Sequence, residues 1–129
     1  MIASLALLFA ATQAPVVSAP LTNIRYEVSF TRELASRRHL GVAMEFDVST
    51  AGDVVLSLPA WTPGAYEMTW FARWVSNFTP TTDGKPLTWD KVDFDTWRIR
   101  AGGAKHVRVA FEFQADSLDN AMAWSRSDF

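Results

Sequence analysis

The sequence carries few side chains that could perform metal or acid-base chemistry. It contains two histidines, His39 and His106, and no cysteine. A catalytic zinc site needs three converging His, Cys or carboxylate ligands, and metallopeptidase helices supply two of them through His-Glu-x-x-His. That motif does not occur in the sequence. His106 shares strand parity with Arg108, opposite the apolar Val107, so we expect it to face solvent. We therefore predict no metal site and no catalytic residue in this chain.

Two other groups of residues could suggest chemistry, but neither has the pattern that the chemistry requires. The carboxylates Asp90, Asp93 and Asp95 are closely spaced, yet they lack the turn glycine and terminal glutamate of a calcium-binding loop. Serine and threonine are present, but no Gly-x-Ser-x-Gly motif indicates an activated nucleophile. We interpret the acidic group as a solvated loop.

The most individual stretch of the sequence is Leu-Pro-Ala-Trp-Thr-Pro-Gly-Ala-Tyr at residues 58–66. Pro63 and Gly64 fit the central positions of a type II turn, because proline fixes φ and glycine accepts a positive φ. Trp61 and Tyr66 flank this turn, and their rings could either clamp it onto a core or form a recognition face. We expect a clamp, because exposed rings beside a stiff turn would leave apolar surface in water.

The elements that must position these residues are mainly strands. Alternation of apolar and polar residues predicts half-buried strands, and Asp83-Gly84 between extended segments predicts a hairpin. Residues 68–78 instead repeat apolar positions at steps of three and four, which predicts one helical turn leading into a strand. The fold class is therefore all-β, an antiparallel β-sandwich with at most a short helical turn near 67–73 and an N-terminal apolar signal helix. The predicted strands are 24–30, 40–48, 54–58, 94–99 and 107–113.

Both ends of the chain differ from this pattern. Residues 2–11 form an apolar run that is too short to span a bilayer and fits a signal peptide, with Val17-Ser18-Ala19 as the cleavage triplet. We predict a signal peptide at 1–19, cleavage after Ala19, a secreted or periplasmic protein and no stable membrane span; a buried helix is the alternative. Residues 20–129 form the predicted domain. Its last nine residues stop at Phe129 without a cap or polar tail, which predicts a domain that is truncated at its C-terminal end.

Composition limits the class of partner. The chain has 129 residues, 12 basic and 14 acidic, and a formal net charge of −2. No stripe of Lys or Arg could neutralise several phosphates, so nucleic acid is not an expected partner. Hydrophobic residues make up 49% of the chain, which is typical of a single globular domain.

Four blocks in order give the chain a family resemblance. It resembles the N-terminal domain of the glycyl aminopeptidases, metallopeptidase family sixty-one, from about residue 24 to the end. The blocks are Leu58-Pro59-x-Trp61-x-Pro63-Gly64-x-Tyr66, Phe71-Ala72-Arg73-x-Val75-x-x-Phe78, Asp83-Gly84-Lys85-Pro86-Leu87 and Thr96-Trp97-Arg98-Ile99.

The resemblance implies a longer zinc aminopeptidase with an N-terminal β domain, a thermolysin-like zinc domain and a PDZ-type domain. In such a protein zinc activates water and the motif glutamate acts as general base, with glycine and alanine preferred at the substrate N-terminus. This chain would be its non-catalytic scaffold or substrate-cleft domain, inactive alone, with zinc and the peptide substrate bound by the downstream domain. Its candidate contact residues for that domain or the cleft are Trp61, Pro63, Gly64, Tyr66, Phe71 and Arg73.

A free-standing binding module is the alternative function. In that case the tryptophan and tyrosine rings would form a platform for sugars or peptides. Exposure separates the two functions: largely buried rings at Trp61, Trp70, Trp74 and Trp89 exclude a platform, whereas three rings in a row on one sheet face favour it.

Overall fold

The computed structural model describes residues 15–64 and 67–116. Within them, strands form two antiparallel sheets, and helices are short. The elements in chain order are β1 Leu21–Ser29, α1 Arg32–Ser36, β2 His39–Val48, β3 Val54–Ser57, a 3-10 helix at Phe71–Trp74, β4 Val75–Thr82, β5 Lys85–Pro86, β6 Trp89–Lys91, β7 Thr96–Ile99 and β8 His106–Gln114.

The two sheets differ in size. The long sheet has the order β1-β2-β8-β4-β5, and the short sheet has the order β3-β7-β6. The all-β sandwich expected from the sequence is confirmed, and the predicted helical turn is the 3-10 helix before β4. Helix α1, with Thr31 as N-cap accepting a hydrogen bond from Leu34 N at 3.2 Å, was not expected. Among the described residues no helix is long and apolar enough to cross a bilayer.

The core lies where the short sheet covers the long one. Phe46 and Val107 face each other on β2 and β8, and Val54 and Ile99 do the same on β3 and β7. All four side chains are completely buried. We call this region the closed half of the sandwich.

The strands of the long sheet extend well beyond this core. Strand β2 has ten residues, whereas β3 and β7 have four each, or about 33 Å against about 13 Å at 3.3 Å per residue. Cross-strand partners share a face of the sheet, so the inner face continues through two more apolar rows. We call these rows the open half; they are Val28, Val42 and Phe111, then Leu40, Phe113 and Val75.

Strand β1 corrects one expectation from the sequence. Its alternation predicted a half-buried strand, but the inner-face residues Tyr26 and Val28 are 69% and 64% exposed. The alternation is real, since both residues pair with inner-face residues of β2. The short sheet does not reach over this edge strand, so the apolar face lacks a cover among the described residues.

The segment before β1 belongs to the fold. The backbone N–H of Ala19 donates to Asp53 O at 2.8 Å, and Ser18 Oγ accepts a hydrogen bond from Val55 N at 3.1 Å. The Ala19 side chain lies in the core of the closed half. Residues 18 and 19 therefore make tertiary contacts, although the sequence placed them in a leader.

Two turns can be compared with their predictions. Asp83 and Gly84 have φ values of 47° and 74° and connect β4 to β5, which confirms the predicted hairpin. Strand β7 begins at Thr96, so the prediction of a strand from Phe94 was two residues too long.

Candidate interaction surface

The stretch at 58–64 is held against the segment 67–70 by one carbonyl group. Ala60 O accepts hydrogen bonds from the backbone N–H groups of Thr69 and Trp70, at 2.8 Å and 2.9 Å. Thr69 itself is buried. Because one acceptor ties down two successive N–H groups, the backbone beside Trp61 is held next to Trp70.

The backbone of this region adopts left-handed conformations at two positions. Gly64 has φ of 92°, as the second central residue of a type II turn requires. Trp70 has φ of 54° and ψ of 62°, a region that bulky residues rarely occupy and that costs on the order of 1–2 kcal/mol. Tyr66, a predicted contact residue, lies outside the described residues. The residue with the strained backbone in this region is therefore Trp70.

A second loop brings Phe94 to the same place. Leu58 N donates to Asp95 O at 3.1 Å, which ties the loop before β7 to the start of the 58–64 stretch. Lys91 Nζ donates to Phe94 O and lies 3.5 Å from the centre of the Trp97 ring. Burial against these rings lowers the pKa of Lys91. The Trp70 and Phe94 rings then meet edge to face, with centroids 5.8 Å apart.

Apolar side chains in this region are exposed. Trp61 is 51% exposed and Phe94 55%. The expected clamp is therefore wrong for Trp61: about half of this residue is exposed, and the hydrogen bonds of Ala60 hold the loop in place. We define the aromatic surface as these exposed residues, namely Trp61, Met68, Trp70 and Phe94.

The remaining predicted contact residues adjoin this surface. Arg73 is exposed, and its guanidinium carbon lies 4.7 Å from the centre of the Trp74 ring. Phe71 is half-buried in the 3-10 helix, and Pro63 and Gly64 are exposed at the loop tip. Sequence reasoning missed Met68 and Phe94 as surface residues: Met68 was assigned to a helical face and Phe94 to a strand.

The polar groups singled out from the sequence are used elsewhere. His39 Nδ1 is 2.6 Å from Arg37 O, and His106 Nδ1 is 3.0 Å from Asp47 Oδ1. The two histidines lie at opposite ends of the long sheet, since His106 pairs with Asp47 and His39 begins the same strand β2. His106 is exposed, as expected.

The acidic group is also committed to structural contacts. Asp90 lies on β6 rather than in a loop, and its carboxylate accepts two hydrogen bonds from Arg98. This ion pair lowers the pKa of Asp90. Asp93 accepts a hydrogen bond from the backbone N–H of Asp95. In the stretches 15–64 and 67–116, no group of three His, Asp or Glu residues could hold a metal ion, so these residues do not fit a zinc site.

Comparison with known proteins relates the chain to peptidases. Residues 25–129 match the Peptidase M61 N-terminal domain. The structure is similar to the crystal structure of an aminopeptidase N family protein from Idiomarina loihiensis, with a TM-score of 0.68 and 19% sequence identity. The match covers 80% of this chain and 17% of that protein's chain.

At this identity the likeness concerns the fold alone. Curated proteins gave no match. The family match covers most of the sequence, including all four blocks and every strand except the beginning of β1. On this evidence the chain belongs to the peptidase M61 family, as its N-terminal domain.

Proposed function

We propose that this chain is the non-catalytic N-terminal domain of an exported zinc aminopeptidase, and that it docks on the catalytic part through the aromatic surface. The observation that carries the proposal is the exposure of Trp61 and Phe94 on loops that hydrogen bonds hold in place. Protein interfaces are enriched in Trp, Phe, Met and Arg, and their strongest contacts come from such residues.

Rigidity supports an interface here. The carbonyl of Ala60 and the Lys91 ammonium fix the two loops that carry the rings. Rings that are already ordered lose little conformational entropy on binding. The left-handed Trp70 agrees with this, because strained backbone is retained where surrounding contacts impose it and is frequent at functional sites. Arg73 adds a planar donor that can pair with a carboxylate at the rim.

The proposed role of the domain follows from the kinds of side chain on the aromatic surface. It has apolar area and a cation at its edge, but the described residues supply no ligand set for zinc. The proposed contribution is scaffolding and one wall of the substrate cleft, while the catalytic part supplies the zinc-activated water. The proposal also includes export of the protein and a preference for N-terminal glycine or alanine in the substrate. Both rest on the family resemblance.

Extension of the coding sequence and surface substitutions test the proposal. We expect a His-Glu-x-x-His helix downstream in the full-length polypeptide. In that protein, Trp61→Ser with Phe94→Ser should split unfolding into two transitions and lower aminopeptidase activity about tenfold or more, because interface anchors contribute about 2 kcal/mol or more each. Ile24→Ser, which removes an exposed apolar side chain on β1 away from the aromatic surface, is the control. A single unchanged transition and full activity in the double variant would refute the docking role.

The alternative is a free-standing aromatic binding module. Three of the four diagnostic tryptophans, Trp61, Trp70 and Trp89, are substantially exposed, which leaves this function open. The geometry argues against a flat sugar platform, because Trp70 meets Phe94 at an interplanar angle of 87° and Trp61 lies on a different loop from both. Binding of oligosaccharides to the chain, lost in the Trp61→Ser variant, would favour the module instead.

A further inference from the structure

We propose that the outer edge of strand β1 pairs with the same edge of a second copy of this chain, antiparallel and with Tyr26 opposite Tyr26 of that copy. The order β1-β2-β8-β4-β5 places β1 at one end of the long sheet. Pairing of two such edges would join the two long sheets into one. This inference does not rest on the proposed function, because it concerns the edge of the long sheet and not the aromatic surface.

The outer edge of β1 is open along its length. The strand has nine residues, and every residue from Thr22 to Val28 is exposed. Strand β2 pairs with one side of β1, without irregularity over residues 25–29, and no strand of the described chain pairs with the other side. Such an edge offers a row of unpaired N–H and C=O groups to an added strand. The irregularity between Thr22 and Arg25 limits regular pairing to the stretch that follows it.

The charges of β1 favour one register of this pairing. Residues that face each other across an antiparallel pair direct their backbone groups in the same way, so a pair of identical strands is centred on a residue. Centred on Tyr26, the pair places Arg25 opposite Glu27 of the second copy, and two-fold symmetry repeats this contact. Centred on Arg25 or on Glu27, that residue faces its own copy, and like charges opposite each other destabilise a sheet. Charge complementarity therefore points to a second copy as the partner and to Tyr26 as the centre.

The apolar residues of β1 also match in this register. Ile24 lies opposite Val28 of the second copy, and Tyr26 lies opposite Tyr26. Ile24, Val28 and Tyr26 are 47%, 64% and 69% exposed in the single chain. Pairing of the two edges would therefore remove apolar surface from water.

Arg25 and Glu27 are not committed to strong contacts within one chain. On β2, Glu45 is the cross-strand neighbour of Arg25 but binds Arg108 at 2.9 Å instead. In the stretches that the structure describes, Arg25 forms no ion pair. Glu27 lies 3.6 Å from Arg108 with its side chain 68% exposed, and an ion pair that is so exposed contributes little. Both side chains can therefore bind across the two-fold axis.

Because the sequence contains no cysteine, single introduced cysteines in the full chain report which residues meet. The thiol of Tyr26→Cys lies opposite its own copy, at the Cα separation of about 4.5–5.5 Å that a disulfide can bridge. Val28→Cys is the matched control, because it is similarly exposed but its two copies lie four residues apart along the strands, about 13 Å. Under mild oxidation we expect a covalent dimer in most molecules of the first variant and in few of the second.

The other outcomes of this experiment would overturn the proposal. Equal amounts of covalent dimer in the two variants would show random collision of exposed thiols. More dimer from Val28→Cys than from Tyr26→Cys would show a different register. Absence of dimer in both variants would show that the β1 edge does not pair with itself.

A second measurement needs no introduced cysteine. A single strand pair is a small interface, below about 1,200 Å² of total buried surface, so we expect a reversible dimer in sedimentation equilibrium. Arg25→Gln should weaken dimerisation about fivefold, because each dimer loses two cross-strand ion pairs. Lys85→Gln, which removes the same charge from β5 at the other end of the long sheet, should leave it unchanged. A monomer at all concentrations, or equal effects of the two substitutions, would contradict the proposal.

The test of this pairing is separate from the test of the proposed function. Trp61→Ser with Phe94→Ser should leave the Tyr26→Cys crosslink intact, and its loss would assign self-association to the aromatic surface and overturn the present proposal. Because the dimer dissociates on dilution, the docking test is made on dilute protein. Ile24→Ser therefore remains a valid control there, although Ile24 lies on the β1 edge.

Discussion

The closed and open halves of this sandwich are built from the same strands but differ in what covers them. In the closed half, Phe46 and Val107 are completely buried beneath Val54 and Ile99 of the short sheet. In the open half, Val28 on the neighbouring strand β1 remains 64% exposed. The difference lies in strand length, since four-residue strands cannot cover ten-residue ones. An apolar pattern on a strand therefore predicts which face is to be covered, but not by what.

The largest effect that would test this comparison comes from truncating a phenylalanine in each half. We expect Phe46→Ala to lower the free energy of unfolding by about 3–5 kcal/mol, because it leaves a cavity in a closed core. Phe113→Ala, on the inner face of the open half, should cost about 1–2 kcal/mol, because that side chain is only half-buried. Urea unfolding of the two variants measures both, and equal losses would show that the open half is as well packed as the closed one.

The next effect concerns the segment that closes the core at its N-terminal side. A chain that begins at Pro20, as the predicted cleavage would leave it, loses the hydrogen bonds of Ala19 N and Ser18 Oγ. We expect it to be less stable than a chain that begins at Pro15 by about 2 kcal/mol, at about 1 kcal/mol for each bond. Thermal unfolding of the two chains compares them. Equal stability would mean that the fold does not need residues 15–19.

A smaller effect is expected at the hairpin of the long sheet. Gly84→Ala places a Cβ at φ of 74°, where the left-handed conformation costs an alanine about 1 kcal/mol relative to glycine. Gly103→Ala is the control, because its φ lies outside the left-handed region and no atom lies within 4 Å of the added Cβ. Denaturant midpoints should fall only for the first variant. A fall in the denaturant midpoints of both variants would indicate that turns of this protein are sensitive to any added side chain.

The smallest effect is a pH dependence on the outer face of the open half. The hydrogen bonds from Arg37 hold the pKa of Glu112 below its usual range. A carboxyl whose folded pKa is depressed stabilises the protein above its unfolded pKa of about 4.3, and this contribution is lost as the pH falls through the folded pKa. Glu112→Gln should therefore weaken the loss of stability between pH 5 and pH 3, as measured by urea midpoints. The effect is small because the pair is partly exposed.

Local signals predicted the local features of the fold. Alternation located β2 and β8 within one residue of their observed ends, and Asp83-Gly84 specified its hairpin because few residue pairs tolerate two positive φ values. The register of apolar positions at 68–78 also indicated the 3-10 helix that precedes β4. Helix α1 was missed because five residues are too few to show a helical period.

Exposure was harder to predict than secondary structure. Trp61 was expected to clamp its turn, but the carbonyl of Ala60 fixes the loop and about half of Trp61 is exposed. Phe94 was assigned to a strand and instead lies on a loop that Lys91 anchors. In both places a contact to the backbone, at Ala60 O or at Phe94 O, holds the loop that carries the exposed ring. The alternation of apolar and polar residues carries no signal for such contacts.

The sequence by itself determined the all-β class, the order of the strands along the chain and the peptidase family, because alternation, turn residues and motif order are local properties. Only the tertiary structure decided that Ala19 belongs to the core and Ser18 bonds to β3, that Trp70 and Phe94 meet, and that half of the long sheet lacks a cover among the described residues. These depend on how far one sheet extends over another. That extent is set by the packing of strands that are remote in the chain, and no single stretch of sequence encodes it.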